Sequence, residues 1–215
     1  MTLQKNDFIE IEFTGKTRDG EVFDSNIKAE LEKLNSKIEA KPLVLSIGHN
    51  MFLKGVEDFL IGKEGKDFEI HLSSENAFGK RESSLIQRMP SNIFKEQKLN
   101  PYPGAVLNFD GRMGKILAVS GGRVMVDLNN PLAGKDVIYK IKVLRKVTDK
   151  KEQADAFIDF LFKKKLSFKI NEKKIIVEVE KQMSKFVELF KDKFKEILGL
   201  ELEVREIEAE KEEKK

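Results

Sequence analysis

Two histidines and no cysteines among 215 residues leave few side chains for conventional chemistry. A disulfide framework, a thiolate nucleophile and a thiolate metal site are all excluded. His49 and His71 would both have to join carboxylates to hold zinc or nickel, and their spacing does not favour it, so neither a metal nor another cofactor is expected. What remains is apolar. Phe52, Leu53, Val56 and Phe78 fall on a loop, a short helix and an aromatic turn that together make a greasy concavity. Such a cup binds apolar groups and excludes water. Asp24 closes a strand just before Ser25-Asn26, where the plain reading is a turn or helix cap.

The elements that must position these residues show in the periodicity. Leu43, Leu45 and Ile47 alternate as a half-buried strand that stops at Gly48. Gly55 to Gly62 is too short for a free-standing helix, but Val56, Phe59 and Leu60 sit at i, i+3 and i+4, so it forms by packing on a sheet. Phe68, Ile70 and Leu72 alternate as another strand, followed by the turn at Phe78-Gly79. Upstream, Ile9, Ile11 and Phe13 alternate with Glu10 and Glu12, predicting an edge-exposed strand over residues 8 to 14. Arg18-Asp19-Gly20 turns the chain back into Val22-Phe23. Ile27, Leu31, Leu34 and Ile38 predict an amphipathic helix or ordered bulge before Pro42.

Composition sets outer limits. With 215 residues the chain is long enough for one large domain or two to three small ones, and 40% hydrophobic with 36% charged residues allows a buried core under a heavily charged surface. Its 40 basic and 37 acidic residues nearly cancel, which does not single out nucleic acid as a partner. No signal-like start and no run approaching roughly 20 apolar residues is present, so a cytoplasmic protein is expected. Abundant Lys and Glu without Cys is a bias of thermophile proteins.

Several separated motifs then agree in order: Gly20-Glu21-Val22-Phe23-Asp24-Ser25, Gly48 through Phe52-Leu53-Lys54-Gly55, Asn76-Ala77-Phe78-Gly79, Asn130-Pro131-Leu132-Ala133-Gly134-Lys135, and a closing strand from Val137 to Leu144. Over about residues 5 to 148 the chain resembles the FKBP-type peptidyl-prolyl cis-trans isomerases of the SlyD-like branch. The resemblance implies an α+β fold in which an antiparallel sheet wraps on a short helix, formed by residues 1–84 and 130–148. Met89-Pro90-Ser91-Asn92-Ile93-Phe94 starts like a capped short helix. Val106, Asn108 and Asp110, then Lys115 to Val119, then Arg123 to Asp127 read as three strands joined by turns at Gly111-Arg112-Met113-Gly114 and Ser120-Gly121-Gly122. Residues 85–129 are therefore expected to form a β-rich domain inserted in the flap. Beyond a charged joint, residues 151–215 read as α-β-β-α-β with a solvated tail from Glu208, and resemble the C-terminal extension of long archaeal FKBPs. Met183 to Leu198 is predicted as one helix ending at Gly199.

The resemblance assigns the pocket to Phe13, Phe23, Asp24, Phe52, Leu53, Val56, Phe78 and Tyr139, with Asp24, Leu53, Phe78 and Tyr139 closest to the reaction and the Leu53 N–H as donor to the substrate carbonyl. Rotation about an X-Pro bond crosses a barrier of about 18–20 kcal/mol because the amide loses its resonance. Lowering it by about 4 kcal/mol already gives a useful rate, and a dry pocket with one backbone donor can do that without nucleophile or metal. Phe13 and Phe78 stand where many members have Tyr, and Val56 where the pocket floor is often Trp, so a macrolide ligand would bind with altered affinity. Met89, Ile93, Phe94, Leu99, Tyr102 and Met113 are candidate client contacts on the insert, an apolar set with adaptable methionines. The partners implied are unfolded or nascent chains with X-Pro bonds. The rival reading is a non-catalytic holdase; the basic cluster Lys163-Lys164-Lys165 is all that supports a ribosome or RNA partner, and reads more simply as a solvated helix end. A monomer is expected, with a dimer through the C-terminal unit as the alternative.

Overall fold

The computed structural model describes residues 2–109 and 111–207. The expectations for Asp110 as a strand residue and for the tail from Glu208 lie outside the described residues. In chain order come β1 (Phe8–Thr17), β2 (Val22–Ser25), α1 (Lys28–Lys33), β3 (Leu43–Ser46), α2 (Lys54–Leu60) and β4 (Asp67–Leu72). Next are β5 (Ile86–Pro90), α3 (Ser91–Glu96), β6 (Val106–Phe109), β7 (Arg112–Ser120) and β8 (Arg123–Asp127). The chain ends with β9 (Val137–Lys146), α4 (Lys150–Phe162), β10 (Ser167–Asn171), β11 (Lys174–Glu180), α5 (Lys181–Glu188), α6 (Lys191–Leu198) and β12 (Glu201–Ile207). The fold is α+β. Two compact units divide it, one holding the chain up to His71 and again from Ile138, the other Leu72–Val137.

In the first unit a five-stranded sheet runs β2-β1-β9-β4, with β3 also on β1. The first strand is therefore flanked on both sides and is no edge, contrary to its Glu-rich alternation. Glu10 is tolerated there because Arg145 on β9 meets it at 2.7 Å, and the same guanidinium also binds Glu152 on α4. Those two carboxylates push the Arg145 pKa up, Glu152 most. Ile9, Ile11, Leu45, Ile70 and Val143 are fully or almost fully buried, as are Val56 and Leu60 of α2. The helix before Pro42 is cut to α1, because Asn35 takes a left-handed φ of 49°, and Ile38 is 71% exposed.

The C-terminal part of this unit has a sheet β10-β11-β12 in which β10 and β11 are antiparallel while β11 and β12 are parallel. A parallel pair needs a crossover, and α5 with α6 supplies it. The single predicted helix is two: Leu189 and Phe190 make i to i−3 bonds to Phe186 and Val187, a tight turn that lets both Val187 and Phe194 face the core. No Gly or Pro marks that break. Phe157 of α4 packs edge-on against Phe194 at 5.1 Å. The helix α4 starts on the Asp149 side chain, which accepts the Glu152 N–H, and is tied by Gln153 to Val147 O and by Lys150 to Leu198 O, each at 2.8 Å.

The second unit holds a four-stranded antiparallel sheet, β5-β8-β7-β6. Ile116, Val124 and Val126 make its buried face with Phe94 of α3 and Leu128. Strand β5 was not read from the sequence, and Pro90, at the N-cap of α3, is its last residue; no side chain caps that helix. The expected turn at Gly111 to Gly114 is shorter, since β7 begins at Arg112. Gly114 is a buried strand residue where a Cβ would lie 2.7 Å from Val126 and 2.8 Å from Phe109. Among the described residues no helix is long and apolar enough to cross a membrane.

Candidate active site

After β3 the chain turns at Gly48, with φ of +87°, and runs through Met51, Phe52 and Leu53 into α2. One side chain holds that loop. Glu57, 1% exposed, accepts the N–H groups of Gly48, His49 and Asn50 on Oε2 at 2.7, 3.0 and 3.0 Å, and that of Phe52 on Oε1 at 2.6 Å. These are charge-assisted bonds, shorter and stronger than neutral ones. The buried face of α2 is therefore Val56, Glu57 and Leu60, and Phe59, expected inside, is 37% exposed against Phe68 and Lys63. Leu53 caps the helix, its carbonyl accepting from Val56 and Glu57. A helix cannot use its N-cap N–H, and among the described residues nothing accepts the Leu53 donor.

Four aromatic rings meet beside this loop. Phe52 lies 4.8 Å from Phe13 and 5.5 Å from Tyr139, both edge-on; Phe23 is 5.7 Å from Tyr139, also edge-on, and Phe13 6.3 Å from it. Edge-to-face pairs lock ring orientation. Gly15 makes room for them: a Cβ there would stand 2.8 Å from the Phe23 ring and 3.0 Å from Tyr139. Phe13 and Tyr139 are 7% and 2% exposed, whereas Phe23 and Phe52 are half-buried, so the first pair is backing and the second forms the accessible wall. Asn26 fixes the base of the cluster, accepting the Phe13 N–H at 2.7 Å and donating to the carbonyls of Ile11 and Lys41.

Asp24 lies opposite Gly15 across the β1-β2 pair. The residue is exposed, but its carboxyl loses enough water to raise its pKa, the Ser25 backbone N–H only partly offsetting this. Tyr139 is pushed far up, first by burial and then by the Asp24 charge, and stays a neutral phenol. Nothing here is poised as a nucleophile or base. Four packed rings, a carboxyl on the strand beside them and an N–H with no acceptor among the described residues are groups suited to gripping a ring and a carbonyl.

The sequence-derived residues Phe13, Phe23, Asp24, Phe52, Leu53, Val56 and Tyr139 all belong to the first unit, Val56 buried on α2. Phe78 belongs to the second, half-buried between the turn Ser74–Asn76 and Gly79. Of the six client-contact candidates, Phe94 is corrected: at 1% exposure it is the centre of that unit's core, edge-on to Phe109. Met89 and Leu99 pack partly buried against the same core. Ile93, Tyr102 and Met113 are accessible at 38%, 60% and 52%, joined by Val106 and Val119, which the sequence reading missed. It also missed Glu57 and Asn26. A Glu in the first turn of a helix that follows a Gly-containing loop was the available signal for Glu57.

The family model described as "FKBP26, IF domain" matches residues 87–132. A short-type peptidyl-prolyl cis-trans isomerase of Methanocaldococcus jannaschii is 30% identical over 146 residues, 66% of this chain and 92% of that protein. The FKBP-type 16 kDa peptidyl-prolyl cis-trans isomerase of Escherichia coli K12 is 30% identical over 149 residues, 66% of this chain and 93% of its own length. SlyD of Haemophilus influenzae is 25% identical over 158 residues, 67% of this chain and 72% of its own. The chain thus belongs to the FKBP-type peptidyl-prolyl cis-trans isomerases, in their SlyD-like group.

Proposed function

We propose that the cup of Phe13, Phe23, Phe52 and Tyr139, floored by Val56, is where this isomerase holds the proline ring, with the Leu53 N–H as donor to a substrate carbonyl and Asp24 at the wall. The observation that carries this is the four-ring cluster set beside the loop that Glu57 holds. A twisted amide has a more basic nitrogen and a less charged oxygen than a planar one, so a dry wall favours the twisted transition state over either planar ground state, while the backbone N–H holds the substrate chain in position. The isomerase body is residues 1–84 with 130–148, and the insert, 85–129, acts as a chaperone surface through Ile93, Tyr102, Met113 and their exposed neighbours. The C-terminal unit starts at 151.

Turnover of a short Ala-Phe-Pro-type peptide tests the cup. Tyr139→Leu and Asp24→Ala should each lower it about tenfold or more while circular dichroism stays unchanged. Full turnover in both folded variants would remove the assignment. Replacing residues 86–129 by a short flap should keep peptide turnover within about tenfold but cut catalysis of proline-limited refolding much further, as a lost effective concentration of roughly 10²–10⁴ predicts. Equal losses on peptide and protein would mean that the insert shapes the cup instead of catching clients.

A further inference from the structure

On the side away from β1, strand β3 has no strand partner among the described residues, although α4 lies against it. It pairs with β1, antiparallel, with Leu45 opposite Ile9 and Leu43 opposite Ile11. Along such a ladder, successive residues turn their N–H and C=O alternately toward and away from the partner strand. The Ile47 N–H bonds Asp7 O at 3.0 Å, so Leu45 and Leu43 also face β1, while Ser46 and Val44 face outward. Met51 Sδ takes the outward Ser46 N–H at 3.2 Å. Among the described residues nothing takes the outward backbone groups of Val44.

Beside that edge lies an open groove of about 590 Å³, floored by Pro42, Leu43, Val44 and Met51 and walled by Ala156 and Phe160 of α4. That volume is in the range of sites that hold peptides or drug-sized ligands. The charges on its rim balance: Glu152, Asp155 and Asp159 against Lys41, Lys163 and Lys165. Selection by net charge is therefore weak, and what the groove offers is a strand edge and an apolar floor. Natural edges are usually covered or blunted because they accept a passing strand; this one is left open at a single outward residue.

We propose that an extended segment of the polypeptide substrate, adjoining its proline, docks in this groove as an added strand on β3. Met51 joins the two sites, since its side chain floors the groove and it directly precedes Phe52 and Leu53 of the cup. Main-chain hydrogen bonds to Val44 supply affinity that does not depend on sequence, and alternate side chains reach the floor. An enzyme acting on many unfolded chains gains by reading what all of them share. The inference rests on the cup being the prolyl site.

The test compares a proline tetrapeptide with the same sequence extended by six residues on both sides, using the full chain and separating kcat from KM. In the parent protein the extended peptide should have a KM about tenfold lower, the equivalent of one or two backbone hydrogen bonds. Val44→Pro deletes the outward donor on an edge where proline is tolerated, and Ala156→Trp fills the groove from the helix side. Each should raise the KM of the extended peptide about tenfold and leave its kcat, and both constants of the tetrapeptide, unchanged. Equal KM values for the two peptides in the parent would overturn the proposal, as would losses shared by both peptides in both variants. A dimer of the parent that Val44→Pro dissociates, seen by light scattering, would give the edge to a second copy and likewise overturn it. Tyr139→Leu lowers turnover of both peptides, so a failed groove and a failed cup leave different patterns.

Discussion

Two carboxylates, Glu57 on α2 and Asp127 at the end of β8, each accept four hydrogen bonds and do so in opposite ways. Glu57 is 1% exposed, faces no cation within ion-pair distance among the described residues, and takes all four from backbone N–H groups of residues 48 to 52. Asp127 takes two from Arg81, at 2.9 and 2.6 Å, and two from Asn129, at 3.0 and 2.7 Å, with the Arg81 side chain 47% exposed. Asn129 in turn bonds both the N–H and the carbonyl of Glu82. The first holds one loop rigid with no alternative partner for the donors. The second clips the entering chain at 81–82 to the leaving chain at 127–129, with the Arg81 guanidinium half in water while Asn129 stays buried.

The sharpest way to break this contrast is to remove one acceptor from each. Glu57→Gln keeps the shape but turns an NH₂ toward N–H donors that have nowhere else to go, and should cost about 3–5 kcal/mol in urea unfolding. Peptide turnover should fall with it. Asp127→Asn should cost about 1 kcal/mol, discounted because its cation is half in water, and less in high salt. If the two variants lost equal stability, burial would not be what distinguishes the sites.

The pH dependence sharpens the same point with a smaller effect. Burial works against the Asp127 charge, but Asn129 and Arg81 outweigh it and hold its pKa below the ordinary 3.8. Its contribution to stability is thus complete above 3.8 and disappears as the pH falls through the lower folded value. Asp24 runs the other way. With its folded pKa raised by burial, ionisation there costs stability as the pH rises from 3.8 through the folded value. The stability of Asp24→Asn relative to the parent, followed by thermal unfolding, should therefore be flat below 3.8, climb above it and level off. A difference that shrinks with rising pH would reverse the assigned cause.

Much of this was readable in the amino-acid order because strands announce themselves by alternation. Leu43 to Ile47, Phe68 to Leu72 and Val137 to Leu144 lie within or beside β3, β4 and β9. The aromatic cup was readable by resemblance, through residues spread from Phe13 to Tyr139. What escaped was decided by tertiary partners. Glu10 and Glu12 suggested an edge for β1, because an acid paired to Arg145 from 135 residues away looks the same in sequence as one facing water. Glu57 and Phe59 exchanged places on α2 because four backbone donors outbid a phenyl ring for the buried side. The helix break at Leu189 carried no Gly or Pro, and Phe94 looked like a contact because an apolar run does not say which side of a small sheet it will take.

The clip at Arg81, Glu82, Asp127 and Asn129 also bears on the order in which this chain can fold. Strands β4 and β9 are neighbours in one sheet, yet residues 73–136 lie between them in sequence. Closing a long flexible loop is entropically unfavourable, and pairing of distant strands is correspondingly slow. Strands β6, β7 and β8 follow one another at short sequence separation and can condense first, with β5 joining β8 afterwards. Once the clip has tied residues 81–82 to 127–129, the span that β9 must bridge is short. This prolyl isomerase would then complete its own sheet only after its inserted unit has folded.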